Sequence, residues 1–500
     1  MKNRPDILKY KHLGIFTQNA NVVFLKHDSD VCISEGFAAL TRIRVSTKTN
    51  SIVASLNVVT SDILLPDEIG LSNTAAEKLN ISDGDFLNVS HLETIISLDH
   101  LRAKIYNHKL DYHAYQEIIN DIVKGDYSNI HLSAFITACA GNRMDIDEIA
   151  NLTKAMVSSG VHLKWSNEIV MDKHSIGGLP GNRTTPIVVS IITAFGLMMP
   201  KTSSRAITSS AGTSDTMEVL TNVFLSPEQI KEVVKKEGGC FVWGDAARLS
   251  PADDILIKVE KALDIDSEGQ LIASVLSKKA AAGSTHVIID MPVGETAKVR
   301  SDKAAEKLKK HFEVVGKDIG LTIKVVITDG TQPVGKGIGP VLEAIDVLSI
   351  LRREAKVPND LKERALLLAG ELLELSGKVD TGNGIKTATE LLESGKAYTK
   401  FKAICMAQGR FTEPVIAKYS HIILSETNGT LIRIDNRKIA KLAKLSGAPE
   451  YKSSGILLNV HLGDTIKKGQ LLYTIYAEAE SELKYALNYL KIHKDIITIL

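Results

Sequence analysis

An excess of either charge is missing from this chain. Its 60 basic residues balance 59 acidic ones, for a formal net charge of +1. No broad field therefore gathers nucleic acid, and any anion site has to be local. Cysteine is scarce: the four thiols (Cys32, Cys139, Cys240, Cys405) are scattered and form no C-x-x-C pair. That argues against structural zinc and a disulfide framework, and it suits a reducing cytoplasm. Long hydrophobic runs are absent too. The greasiest stretch, 187–199, is broken by Ser, Thr and Gly and is too short to span a bilayer. The N-terminus, MKNRPDILKYKHLGI, has no apolar signal core. Neither G-K-[ST] of a Walker loop nor G-x-G-x-x-G occurs where a nucleotide loop would need it. What remains is a soluble, cytoplasmic α/β chain of 500 residues, long enough for two to four domains.

The patterning divides the chain into four regions. Residues 1–92 are rich in β-branched residues and turns. Val22–Leu25, Ser51–Leu56 and Phe86–Val89 read as strands, and Ser72–Leu79 as a short capped helix, which together suggest a small β-barrel-like domain. Residues 93–164 turn to helical spacing, with Ile118, Ile119, Ile122, Val123 and then Leu132, Phe135, Ile136, Cys139. A stretch at about 252–283 returns to that spacing and is expected to join the same helical domain. From 165 to 410, short buried strands alternate with helices: 168–172, 197–201, 240–243, 285–291 and 321–328. This predicts a mainly parallel central sheet. Residues 411–500 form a β-rich domain, in which 463–472 resembles the hairpin of biotinyl and lipoyl carriers but offers no lysine at a tip.

Two loops about thirty residues apart are built to hold phosphate. The first runs Asp172-Lys173-His174-Ser175-Ile176-Gly177-Gly178-Leu179-Pro180-Gly181-Asn182-Arg183-Thr184-Thr185. Its glycines let backbone approach a ligand, Thr184 or Thr185 can cap the next helix, and Pro186 suits that helix's first turn. The second, 201–218, reads KTSSRAITSSAGTSDTME, with nine Ser or Thr; Asp215 and Glu218 fit a capping-box variant. Phosphate needs short donors converging from backbone, hydroxyls, Lys or Arg, and both loops supply them. Taken singly, each reads equally well as a tight connection with capping hydroxyls. A third segment, 264–279, places Ser274 and Lys278 on one helix face, the ordinary pattern of an amphipathic helix.

Together these segments resemble the thymidine phosphorylase (pyrimidine nucleoside phosphorylase) family. The family signature, close to S-G-R-x-x-x-x-x-G-G-T-x-D-x-x-E, is matched by Ser203-Ser204-Arg205 through Ala211-Gly212-Thr213-Ser214-Asp215-Thr216-Met217-Glu218, with D-K-H-S-x-G-G as its companion. The likeness extends from about Ile118 to the C-terminus. It implies a helical domain used for dimerisation, an α/β domain, and an active site in the cleft between them. It also implies phosphate held by Lys173, Ser175, Thr185, Ser203 and Thr213, with Ser274 and Lys278 on the nucleobase side. Two departures stand out. Where the family carries Ala-Arg-Asp, with the arginine on the pyrimidine, this chain has Ile257-Lys258-Val259-Glu260-Lys261. An extra N-terminal domain is present, and Ser204-Arg205-Ala206-Ile207-Thr208-Ser209 replaces a glycine-rich stretch. Both resemble the AMP phosphorylase branch and its bacterial relatives, the type 2 thymidine phosphorylases. That branch implies nucleotide binding at Gly178, Ser204, Arg205, Ala206, Ile207, Thr208, Ser209, Thr213, Ser274 and Lys298, with Asp266 as proton donor.

The implied reaction is phosphorolysis of a nucleoside or nucleoside 5′-monophosphate to a free base and a pentose 1-phosphate. Inorganic phosphate is the co-substrate, and no metal or other cofactor is expected. Asp266 would protonate a departing purine, and His174 is the alternative acid for a pyrimidine. Two other classes stay open. One is a phosphoribosyltransferase of the anthranilate type, which uses a pyrophosphate donor with magnesium. The other is a nucleotide sensor that releases no base.

Overall fold

The computed structural model describes residues 7–500 apart from 18–19, 35–40, 93, 167, 207–208, 245–248 and 266. The chain divides into two compact units, Met1–Arg143 with Ile255–Ile265, and Met144–Asp254 with Asp266–Leu500.

In the first unit, six strands close into a barrel: β1 (Ile7–Ile15), β2 (Val22–Lys26), β3 (Arg42–Ser46), β4 (Ser51–Val59), β5 (Glu68–Ser72) and β6 (Phe86–His91). Their order is β1-β5-β2-β4-β3-β6, and β6 pairs back onto β1. Alternation drives the closure. Leu8 and Tyr10 of β1, Ile43 and Val45 of β3, and Leu87 and Val89 of β6 all point inward and are buried. Two short helices accompany the barrel, α1 (Asp30–Ser34) and α2 (Asn73–Leu79). Helices α3 (Ser97–Ile105), α4 (Tyr112–Lys124) and α5 (Asn129–Cys139) follow. The Asp111 side chain caps α4 at Ala114 N, and Ser128 caps α5 at His131 N.

The second unit opens with α6 (Ile146–Ser158), started by a capping box between Asp145 and Glu148. The alternating region then gives β7 (Met171–Ser175), α7 (Thr184–Phe195), β8 (Met199–Ser203), α8 (Thr213–Leu220), α9 (Pro227–Glu237) and β9 (Gly239–Trp243). Helix α10 (Pro251–Leu263) belongs to the first unit from Ile255 onward, and the second continues with α11 (Glu268–Ala281), β10 (His286–Val293), α12 (Asp302–Asp318) and β11 (Thr322–Asp329). Every pairing among these strands is parallel: β11-β10-β7 form one sheet and β8-β9 another. A parallel bridge from Val170 to Met198 joins them. The sheet expected from the alternation is thus present. Its strands begin two or three residues later than the hydrophobic runs suggest at β7 and β8, so Lys173, His174 and Ser175 are strand residues rather than the loop beyond it.

Helix α7 is apolar on all sides because it is buried on all sides. Its Ile187, Val188, Ile191 and Ile192 pack into one core with α13 (Pro340–Arg352), α14 (Asn359–Leu375), α15 (Gly384–Glu393) and α16 (Lys396–Ala407). No described helix is long and apolar enough to cross a membrane. A two-residue strand, β12 (Gly337–Ile338), precedes α13.

The β-rich C-terminal region contains β13 (Tyr419–Leu424), β14 (Gly429–Ile434), α17 (Asn436–Leu445), β15 (Gly455–Leu458), β16 (Thr465–Ile466), β17 (Leu471–Ala477), α18 (Glu480–Ile492) and β18 (Ile497–Ile499). One sheet runs β12-β15-β17-β13 and the other β16-β14-β18. The carrier-like turn at 463–472 is therefore not a hairpin. Strand β16 pairs with β14, whereas β17 pairs with β13 and β15, so the turn passes the chain between two sheets.

Candidate active site

Residues that alternate along a strand face opposite sides of the sheet, and β7 uses both sides. Lys173 and Ser175 project to one face, Asp172 and His174 to the other. The Lys173 ammonium is buried. Its donors reach Ser175 Oγ, Thr184 Oγ1 at 2.7 Å and, more weakly, Thr185 Oγ1 at 3.4 Å. Asp290 on the neighbouring β10 stands 3.8 Å from Lys173 Nζ. That carboxylate accepts from Ser175 Oγ at 2.6 Å, Asn182 Nδ2 at 3.0 Å and Thr328 Oγ1 at 2.7 Å. Burial pulls the Lys173 ammonium down to about 8 despite Asp290. Burial alone would raise Asp290, yet Lys173 and the hydrogen bonds hold it below the usual carboxylate range.

Thr184 and Thr185 are the first two residues of α7, whose cap position is Arg183 without a side-chain cap bond. The expected threonine cap is thus absent. Lys173 donates to both hydroxyls, which lie where a helix N-terminus favours an anion. Gly181 holds the loop in the left-handed region at φ +72°, and a Cβ there would lie 2.1 Å from the Val334 carbonyl oxygen. No other residue fits that turn.

On the opposite face Asp172 is wholly buried between two lysines, Lys201 Nζ at 3.2 Å and Lys279 Nζ at 2.9 Å. It also accepts from Ser284 Oγ at 3.2 Å and from the Lys173 N–H at 2.7 Å. Burial would raise this carboxyl, but the two ammonium groups outweigh it and keep it low. Lys201 is pushed down to about 7 by burial, against the pull of Asp172. His174 is driven well below the ordinary imidazole value by burial and by Lys279, Lys201, Lys173 and Lys278, so it is neutral at pH 7.

The second loop begins as β8 ends. Asp215 lies in the first turn of α8 and reaches back to Gly212 N at 2.9 Å and Ala206 N at 2.7 Å. The capping partner of Asp215 is therefore Gly212 rather than Glu218. Glu218 instead binds Arg205, which also donates to Asp215 at 2.9 Å and lies over the rings of Phe224 and Trp243 at 5.4 and 5.0 Å. Lys452 of the C-terminal region adds a second cation, 3.2 Å from Asp215 and 3.0 Å from Glu218. Ser203 Oγ meets Ser214 Oγ at 2.9 Å, and Ser209 Oγ donates to Ala211 O. Gly212 allows the backbone of Ser204, Arg205 and Ala206 to pass where a Cβ would sit 2.6 Å away.

One side chain ties the loops together. Arg183 donates to Thr213 Oγ1 at 2.9 Å and to Ala211 O at 2.8 Å, while its Nε rests on Glu343 at 2.7 Å. Lys173, Ser175, Thr185 and Thr213 are thereby brought into one connected set, and Ser203 adjoins it through Ser214. Lys298 stands beside Gly178, where a Cβ on the glycine would lie 3.6 Å from it. Ser274 and Lys278 share the buried helix α11, with Lys278 paired to Asp253. Asp266, Ile207 and Thr208 lie outside the described residues. Sequence reasoning misses Arg183, Asp290 and the Asp172–Lys201–Lys279 triad as functional residues. The signals it could use are an acid inside the apolar strand HVIIDMPV and the lysines at 201 and 279 flanking the motifs.

Asp172→Asn leaves two buried ammonium groups without their counterion, which should cost about 3–5 kcal/mol at pH 7. Lys201 at about 7 lies below its unfolded value, so stability gained through it rises as pH climbs from there. Below that pH the wild type protonates Lys201 against Asp172 and the variant cannot. Denaturant titrations should show the deficit widening from pH 8 to pH 6; an equal deficit at both would refute the pairing.

Residues 167–398 match the glycosyl transferase family a/b domain, 98–160 its helical bundle domain, and 430–496 the pyrimidine nucleoside phosphorylase C-terminal domain. A protein of Legionella pneumophila (strain Corby) is 52% identical over 492 residues, covering 98% of this chain and 95% of its own. One of Hahella chejuensis (strain KCTC 2396) is 51% identical over 494 residues, covering 99% and 98%. Both are named "Putative thymidine phosphorylase". Among solved structures, anthranilate phosphoribosyltransferase from Thermus thermophilus superposes with a TM-score of 0.52 at 19% identity, over 62% of this chain and 99% of that one. That likeness concerns the fold alone. Three domain matches in family order, and half the residues shared with relatives along nearly their whole length, show that this chain belongs to the thymidine/pyrimidine nucleoside phosphorylase family.

Proposed function

We propose that the chain catalyses phosphorolysis of a nucleoside 5′-monophosphate, in the manner of AMP phosphorylase, with thymidine as the second candidate substrate. The observation that carries this reading is the joining of the two loops: Lys173 with Ser175, Thr184 and Thr185 on one side, Thr213 on the other, and Arg183 between them. Thr184 and Thr185 accept from the Lys173 cation, which leaves their hydroxyl protons free to turn towards an anion, whereas the Ser175 proton goes to Asp290. Orthophosphate held there would be fixed before reaction, so its attack on C1′ costs little orientational entropy. As the C1′–O bond forms, the C1′–N bond breaks and its electron pair leaves with the base. An acid must then meet the developing charge on that base.

Asp266 is the donor in this proposal, following the AMP phosphorylase branch. His174 is held neutral and serves better as a hydrogen-bond donor than as a proton source. Ser274 and Lys278 face the base, and Gly178, Lys298 and the backbone of residues 204–209 take the ribose 5′-phosphate. The guanidinium of Arg205 is already engaged by Asp215 and Glu218, so its contribution is to shape that backbone. Two features support a nucleotide over thymidine: Lys298 supplies a cation beside the first loop, and no arginine stands at 257–261 for a pyrimidine. The names given to the relatives favour thymidine. A homodimer in the cytoplasm, where the four thiols, none of them in a disulfide, stay reduced, completes the reading.

The protein should be incubated with orthophosphate and AMP, adenosine, thymidine or uridine, and the released base identified by chromatography. We expect adenine from AMP, only when phosphate is present; thymine alone would transfer the assignment to the second candidate. Base released with pyrophosphate and magnesium but never with orthophosphate would point to a phosphoribosyltransferase, and no base at all to a sensor.

The KM for phosphate should turn upward above pH 8, rising about tenfold per pH unit, as the Lys173 ammonium at about 8 loses its proton. Lys173→Met should abolish the inflection and raise KM throughout. A flat profile from about pH 7 to about 9.5 would remove Lys173 from the phosphate site.

Asp266→Asn should lower kcat about 10²- to 10⁴-fold while orthophosphate affinity changes little. If His174→Asn shows that loss and Asp266→Asn does not, the acid is His174.

A further inference from the structure

We infer that Arg183 is a positioning residue, which fixes the spacing of the two loops and turns the Thr213 hydroxyl proton towards the bound phosphate. The inference rests on the phosphorolysis reading and adds to it a residue of the first loop that is not among those implied to hold phosphate.

Three donors of one guanidinium are committed to three different elements. Nε goes to Glu343 on α13 at 2.7 Å, Nη1 to Thr213 Oγ1 on α8 at 2.9 Å, and Nη2 to the Ala211 carbonyl at 2.8 Å. The planar fork fixes the angles among these bonds, so the second loop cannot slide relative to α7 without breaking at least two of them. Glu343 is 1% exposed. It also accepts from Thr216 Oγ1 at 3.0 Å, which ties it to the same helix as Thr213. A buried carboxylate held from two sides is a fixed anchor, and it keeps the guanidinium from swinging onto the phosphate.

The consequence for Thr213 follows from counting. A hydroxyl has one proton and two lone pairs. Arg183 occupies a lone pair, so the proton is directed elsewhere, and among the described residues no acceptor takes it. Lys173 does the same for Thr184 and Thr185 from the other side. Each cation thus takes a lone pair and leaves the protons of Thr184, Thr185 and Thr213 available to one anion. Lysine at 183 would keep a charge but could not serve three elements at fixed angles.

The test compares Arg183→Met, Arg183→Lys, Thr213→Val, the double variant Arg183→Met/Thr213→Val, and Arg183→Met/Glu343→Gln. The last removes the buried pair together, so no unpaired charge is left to unfold the protein. Each is measured for melting temperature, orthophosphate binding by calorimetry, and kcat and KM for both substrates. Loss of a charge-assisted hydrogen bond predicts phosphate affinity weakened about tenfold to a hundredfold in Arg183→Met and in Arg183→Met/Glu343→Gln. The KM for the nucleotide should move less than about threefold, and Arg183→Lys should recover part of the loss. In the Thr213→Val background, Arg183→Met should add less than about threefold, because the arginine acts through that hydroxyl.

The inference is overturned if Arg183→Met/Glu343→Gln melts like the wild type and binds phosphate within about threefold of it. Full additivity of Arg183→Met and Thr213→Val overturns it as well. Wild-type protein that binds orthophosphate but releases no base sinks the phosphorolysis reading alone, and the affinity ratios still decide the role of Arg183. Wild-type protein that binds no orthophosphate sinks both.

Discussion

Placing ammonium groups inside a parallel sheet is possible only if carboxylates and hydroxyls go in with them, and that requirement organises the second unit. An unpaired buried charge costs several kcal/mol, a large part of the margin by which most domains are stable. Strand β7 meets the requirement twice, once on each face. Lys173 is balanced by Asp290 and spread over three hydroxyls, while Asp172 is shared by Lys201 and Lys279. The two systems are back to back across one strand. Charge neutrality costs the Ser175 proton, which Asp290 takes, but leaves those of Thr184 and Thr185 for a ligand. A preorganised polar site of this kind needs little rearrangement when charge develops.

Much of this is legible in the sequence, and the failures share a cause. The alternation of short apolar runs with helical spacing points to the parallel sheet, and the density of Lys, Ser and Thr marks both loops. Local patterns cannot show which distant residue completes each one. Asp290 is 115 positions from Ser175 and meets it only because β10 lies next to β7 in the sheet. Glu343 is 160 positions from Arg183. The polarity of Lys173-His174-Ser175 reads as the end of the strand, yet these residues continue the ladder because buried partners satisfy them. Glu218 has the spacing of a capping residue; the cation–π stack of Arg205 on Phe224 and Trp243 claims it instead.

Lys452 shows that the C-terminal region is part of this arrangement. It reaches the same two carboxylates that hold Arg205, so Asp215 and Glu218 face two cations from different parts of the unit. Val341 N donates to the Lys452 carbonyl at 3.0 Å, and Gly339 packs against Ser454 and Gly455, which anchors the segment at the start of α13. That helix also carries Glu343. The rigid stem behind the second loop is therefore assembled from distant stretches of chain, Lys452 and Asp215 being 237 positions apart.

The two β-rich regions face solvent differently. A sheet that returns to its own first strand, as β6 does to β1, exhausts its backbone donors and acceptors internally and offers no template to another chain. The sheet ending in β13 is open, and Ile422 and Leu424 there are 55% and 45% exposed. Strand β13 is therefore a place where misassembly by strand addition can begin, whereas the amino-terminal cylinder offers none.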